Sequence, residues 1–236
     1  MKFDFIFFDS GGTLYGNFTG EDPTPTQVAS RRVHRVHRLA AGMGMDVDFN
    51  LLESAILRAE TECPRIHGPA YNFCRLMEDV LDRLKLPRSP ETAACLADAF
   101  AGPRYASWLF PGTRDALQAL HQGGIPMGVI ANTAWPGFSM DRAFAGVGLL
   151  PFFGIRVSSG DIGIEKPDPA IFQYAERLLS LKGKSILYVG NNVEADVMGA
   201  SSVGWSTAFR RNGSTCASMA DFEFDHVSQL VDYCLG

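Results

Sequence analysis

Apolar and polar positions along this chain change their period twice. Residues 3–8 (Phe-Asp-Phe-Ile-Phe-Phe) form a short apolar run that stops at Asp9-Ser10-Gly11-Gly12, the pattern of a buried strand ending in a turn. Similar runs recur at 126–131, 154–158, 185–190 and, more weakly, 207–210. Helical spacing fills the gaps, over 112–122, 135–147, 169–181 and 196–203. Strands alternating with helices of this length predict right-handed crossover units and a parallel sheet. The stretch 16–105 breaks the alternation. It carries helical patterns around 24–42, 50–62, 72–84 and 90–100 and no convincing strand. The expectation is an α/β core of residues 1–15 and 106–236, interrupted by a helical module of residues 16–105.

Open parallel sheets hold ligands at the C-terminal ends of their strands. Asp9, Ala131-Asn132 and Gly190-Asn191 all fall at such ends, with the loop carrying Lys166 nearby. Asp9 is followed by two glycines, which let backbone N–H groups approach an anion closely, and by Thr13, which can brace the turn. A carboxylate so placed can act as a nucleophile and form a covalent intermediate. The plainer reading is an Asp that only caps its turn.

Composition narrows the function classes. The 236 residues suffice for one large domain or for one domain carrying an insertion, and 46% hydrophobic content suits a globular core. A net charge of −5 argues against a nucleic-acid partner, no apolar run approaches a membrane span, and the N-terminus does not read as a secretory signal. Five scattered cysteines lack CxxC spacing and neighbouring histidines, which argues against zinc and for a reducing, cytoplasmic setting.

Four segments in order resemble the haloacid dehalogenase-like hydrolase superfamily. Phe8-Asp9-Ser10-Gly11-Gly12-Thr13-Leu14 is similar to its first motif, Asp-x-Asp-Gly-Thr-Leu. Phe110-Pro111-Gly112 with 124–133 resembles its Pro-Gly, helix, strand, Ser/Thr-Asn stretch. Lys166-Pro167-Asp168-Pro169 resembles the third motif, and Gly190-Asn191-Asn192 with Asp196 the fourth. The resemblance implies a Rossmann-like core with an inserted all-helical cap. It implies Asp9 as nucleophile and Lys166 as the group that neutralises it and the bound anion. It places Ser10, Gly11, Gly12, Asn132, Thr133 and Lys166 around the substrate. It also assigns Asp9, the Gly11 carbonyl, Asn191 and Asp196 to a magnesium ion.

The chain departs from the pattern in three places. The second Asp of the first motif, general acid and base in family phosphatases, is Gly11, which transfers no proton. The Ser/Thr of the second motif is Ala131, and the first acid of the fourth is Asn191. Asp9, Asp196 and Lys166 then leave one net negative charge where a phosphatase-like set would hold three. Like charges ~4 Å apart cost about 4 kcal/mol at an effective dielectric of 20, so the demand for magnesium weakens. Family dehalogenases have Tyr at the position of Gly11 and need no metal; phosphonate-cleaving members have Ala there, but their cap lysine is matched here only by Lys85, a surface-type residue.

Three functions therefore stand side by side. One is hydrolysis of a small anionic metabolite through Asp9, a phosphate ester being the superfamily's most frequent substrate. Another is a dehalogenase- or phosphonatase-type reaction with little metal dependence. The third is a catalytically impaired protein that binds a ligand. In the cap, Arg31, His34, Arg35 and Arg38 share one helix face beside Arg32 and His37, reading as a solvated face or a basic patch over an anion. Trp135, Tyr15 and Phe18 read as packing residues, and Glu194 or Asp161 as candidates to replace a lost carboxylate. Substrate and oligomeric state are not legible from the pattern.

Overall fold

The computed structural model describes residues 2–16, 25–213 and 219–236; Phe18 and Cys216 lie outside them. Six parallel strands form one sheet in the order β3-β2-β1-β4-β5-β6. They are β1 (Phe5–Phe8), β2 (Met127–Ala131), β3 (Phe153–Ser158), β4 (Ile186–Gly190), β5 (Ser206–Arg210) and β6 (Phe222–Phe224). Strand β1 is buried on both sides, as the central strand of a parallel sheet must be. Its alternation divides the core: Ile6 and Phe8 face one layer of apolar residues, Phe5 and Phe7 the other.

Helices α5 (Thr113–Gln122), α6 (Gly137–Gly146) and α10 (Ser228–Leu235) bury Leu117, Leu120, Met140, Phe144 and Leu230 in the first layer. Helix α8 (Pro169–Leu178) buries Ile171 and Phe172 in the second. Two short turns complete this half, α7 (Ser159–Ile162) and α9 (Gly199–Ser201). The fold is the Rossmann-like α/β class expected. Strand β6 has only three residues, with Glu223 at their centre, and so gives no period to detect; helix α10 is a further element beyond those the sequence predicts.

Between β1 and α5 come α1 (Pro25–Gly42), α2 (Phe49–His67), α3 (Phe73–Arg83) and α4 (Pro90–Ala101). Three start on side-chain caps: Asp48 accepts from the N–H of Asn50 and Leu51 at 2.9 and 3.0 Å, Asn72 from Arg75 at 3.0 Å, and Ser89 from Thr92 at 3.0 Å. They bury Val36, Ile56, Leu76, Met77, Leu81 and Leu96 against one another. This helical layer sits directly on the sheet half. Phe73 rests on Phe100 and Trp135, with ring centroids 4.9 and 6.3 Å apart. The Phe73 N–H donates to the Ala134 carbonyl at 2.9 Å, and the Asn72 amide donates to the Gly160 carbonyl at 3.2 Å. A second clasp joins α4 to α6, where Asp98 accepts from Ser139 and Arg142 at 2.7 Å.

Candidate active site

In the register, Phe8 pairs with both Val129 and Val189, so the ends of β1, β2 and β4 lie side by side. Asp9 leaves β1 there, its N–H bonded to the Val189 carbonyl at 2.8 Å. This is the point where the strand order reverses, the usual ligand position in an open α/β sheet.

Three loops converge on one buried ammonium. Lys166 Nζ donates to Asp9 Oδ1 at 2.9 Å, to Asp196 Oδ1 at 2.7 Å and to the Tyr188 hydroxyl at 2.7 Å. Those three bonds use all its protons. The Tyr188 hydroxyl donates in turn to the Ile130 carbonyl at 2.9 Å. The lysine backbone is fixed by Asn132, whose amide donates to the Lys166 carbonyl at 2.7 Å and accepts from its N–H at 2.8 Å. Asp196 sits in a π-helical turn, Val193–Met198, of the kind often found at functional sites. Its Oδ2 accepts from the N–H groups of Asn191 and Asn192 at 3.0 and 2.9 Å. Thr13 Oγ1 bridges Asp9 Oδ2 and Asn191 Oδ1 at 3.2 and 3.1 Å.

Accessibility separates the two carboxylates. Asp9 keeps 13% of its side chain exposed, whereas Asp196 and Lys166 keep 2% each. Burial pushes the Asp9 carboxyl above its ordinary value, against the pull of Lys166. Burial alone would depress Lys166, but the facing charges of Asp9 and Asp196 hold it above its ordinary value. Burial, with both aspartates nearby, drives Tyr188 well up, so its hydroxyl stays protonated. The result is an Asp196 whose two oxygens are fully engaged and an Asp9 that remains the reachable carboxylate of the cluster.

The expected site residues fall into distinct positions. Ser10 is buried beside Asp9 and, with Thr133, lines a crevice under the helical layer. Gly11 is exposed, and a Cβ built on it meets nothing within 4 Å. Gly12 has φ +83°, and a Cβ there would lie 2.6 Å from the Asn191 amide, so glycine is required. Its carbonyl accepts from Arg210 and Asn212 at 3.2 and 2.7 Å. Asn132 is spent on the lysine loop. Asp161 accepts from Gly137 N–H and Asn72 at 2.7 and 3.3 Å, and Glu194 is exposed with no hydrogen bond to the site among the described residues. Neither fills the role missing at residue 11.

The donor set suits a divalent cation poorly. Among the described residues no group of three His, Cys, Asp or Glu side chains converges. Both oxygens of Asp196 are already committed, Asn191 Oδ1 accepts from Thr13, and an ammonium already lies between the two carboxylates. The basic face of α1 also divides. Arg31, His34 and Arg38 are solvated, whereas Arg35 donates to the Ala99 and Phe100 carbonyls at 2.6 and 3.1 Å and Arg32 lies over the Phe73 and Phe100 rings.

The fold and site define an α/β protein whose parallel sheet holds, at its switch point, a buried lysine bridging two carboxylates. Comparison with known sequences agrees over nearly the whole chain: residues 3–204 match the family described as haloacid dehalogenase-like hydrolase, and the chain belongs to that family. Among curated relatives, the glyceraldehyde 3-phosphate phosphatase of Methanopyrus kandleri is 26% identical over 96% of this chain and 95% of its own. An (S)-2-haloacid dehalogenase of a Pseudomonas species is 25% identical over 70% and 71%. Among solved structures, the 2-haloacid dehalogenase of Pseudomonas syringae pv. Tomato superposes with a TM-score of 0.62 at 21% identity, covering 98% of this chain and 97% of its own.

Sequence reasoning missed two residues of the site. Tyr188 hid inside an apolar run, where a hydroxyl among Ile, Leu and Val was the available signal. Arg104 had no motif around it, and only the fold brings it to the crevice.

Proposed function

We propose that this protein hydrolyses a small anionic substrate through a covalent intermediate on Asp9, with a phosphate ester as the first candidate. The observation that carries the reading is the Asp9–Lys166 contact of 2.9 Å at the sheet's switch point, with Asp9 the exposed member of the buried charge cluster. Asp9 attacks phosphorus, the leaving-group oxygen departs with the bonding electrons, and water then cleaves the aspartyl-phosphate to restore the carboxylate. Lys166 offsets the charge that accumulates on Asp9 and its adduct. Residue 11 contributes no proton, so leaving groups that depart unprotonated are favoured.

That last point supports a second reading, halide displacement from a 2-haloacid, in which no leaving-group acid is needed. In both readings dependence on magnesium is weak, because the donor set above suits it poorly. The helical module of residues 16–105 acts as the cap over a core of 1–15 and 106–236. A cytoplasmic setting fits the free thiols of Cys63, Cys74, Cys95 and Cys234. Among the described residues no helix is long and apolar enough to cross a membrane.

The test is a panel of phosphate esters and 2-haloacids assayed with and without magnesium, on the wild type and on Asp9→Asn. Expected are turnover by the wild type and a loss of at least about 10³-fold in the variant, with folding retained. Equal rates in the two proteins would remove Asp9 from the chemistry. Substrate binding without any turnover would leave a ligand-binding protein.

A further inference from the structure

Beside the catalytic cluster, the crevice lined by Ser10 and Thr133 ends at Arg104, on the segment that leads from α4 back to the sheet. Three rings surround its guanidinium: Trp135 at 4.2 Å, Tyr15 at 4.9 Å and Trp108 at 5.6 Å from the central carbon. These rings come from the loops after β1 and β2 and from the return segment itself, so the cage is built by the whole fold. Aromatic faces hold a guanidinium by its planes and leave its N–H edge free. None of those N–H groups is spent on a protein oxygen, and no carboxylate pairs with Arg104, among the described residues. Every other arginine in this neighbourhood has such a partner or is solvated: Arg32 faces Glu60 at 3.8 Å, Arg35 bonds to the end of α4, and Arg142 grips Asp98.

Other arginines stand close by. On its far side Arg104 lines a second crevice with Arg31, Arg32 and Arg35. Burial depresses the Arg32 guanidinium, Glu60 offsets part of that, and the charge of Arg104 adds to the depression. Among the described residues this half-buried cation has no counter-ion, stands beside other arginines, and opens on the crevice lined by Ser10, the neighbour of Asp9.

We infer that Arg104 is the specificity residue for a second anionic group of the substrate, a carboxylate or phosphate at the end remote from the bond broken at Asp9. The inference rests on the proposed use of Asp9 and narrows the substrate class to small molecules with two anionic ends. The crevice between Ser10 and Arg104 has room for about one water molecule in the arrangement described, about 10 Å³. The ligand therefore enters as the Arg104 side chain or the helical layer yields, and the guanidinium fork closes on it afterwards.

Binding is measured without turnover in Asp9→Asn, by calorimetry, with 2-phosphoglycolate as the two-anion probe and inorganic phosphate as the one-anion probe. The double variant Asp9→Asn/Arg104→Met is expected to bind phosphoglycolate about tenfold or more weakly, and phosphate within about twofold of the parent. Asp9→Asn/Arg104→Lys, which keeps the charge and stem, recovers part of the loss and controls for misfolding. Glycerol 1,3-bisphosphate distinguishes the two ends: stronger discrimination than phosphoglycolate assigns a phosphate, weaker a carboxylate. Equal weakening of both probes, no weakening of either, or no phosphoglycolate binding by the parent would overturn the assignment of Arg104. A preserved Arg104 effect in a wild type that turns nothing over would instead reject the chemistry at Asp9 and leave the anion site standing.

Discussion

Residue 11 decides how much of a phosphatase this chain can be. Its backbone is not in the left-handed region and its Cβ direction is open, so Gly11→Asp is sterically free, in contrast to the crowded Gly12. The variant restores a proton-transferring carboxyl at the position where the family phosphatases carry one. Hydrolysis of an alkyl phosphate such as glycerol phosphate, whose alkoxide leaving group needs a proton, is expected to rise by about 10²-fold or more, because a positioned general acid contributes ~10²–10⁴. Unchanged hydrolysis in a folded Gly11→Asp would show that the absent acid is not what limits turnover. At this scale much of the site was legible in the sequence: Asp9, Lys166 and Asp196 follow strand ends or stand on the helix after one, and their convergence follows from parallel topology. Tyr188 and Arg104 were not, since a ring inside an apolar run and an arginine on a connecting segment acquire a role only through what the fold brings against them.

At the scale of elements, the contact between helical layer and sheet runs through the start of α3. Asn72 caps that helix with its oxygen and reaches the Gly160 carbonyl with its nitrogen. Asn72→Ala should lower stability by about 1 kcal/mol through the lost cap, read by urea denaturation. Asn72→Ser keeps a capping oxygen and drops the amide donor. Hydrogen exchange over α3 should then separate the two roles, with Ser protecting the helix while still loosening its attachment. Equal exchange in Ser and wild type would mean that the amide adds nothing to docking. The four helices of the inserted module were readable from their period, and in the structure Asp48, Asn72 and Ser89 cap three of them. Strand β6 was not, because its place at the sheet edge depends on β5 and not on its own three residues.

For the whole molecule, the buried cluster links folding to pH in two opposite senses. Lys166 binds its proton more tightly folded than unfolded, so its contribution is complete below its ordinary 10.5 and fades as pH rises past that value. Thermal melts are expected to hold through neutral pH and to fall above about pH 10.5, and Lys166→Met should lose that alkaline step. The variant should also be less stable at neutral pH by about 3–5 kcal/mol, since it leaves Asp9 and Asp196 unpaired. Asp9 works the other way. Burial raises its carboxyl above 3.8, so its ionisation costs stability as pH climbs through the raised value. Asp9→Asn should therefore melt no lower than the wild type at neutral pH. A clear drop would contradict the idea that a functional charge is held there at the expense of the fold.

One bond between helical layer and sheet, from the N–H of Phe73 to the carbonyl of Ala134, belongs to the main chain alone. Any side chain at either position preserves it, and only proline at 73 removes the donor. Side chains at these two positions can therefore be exchanged without removing this bond between the layers.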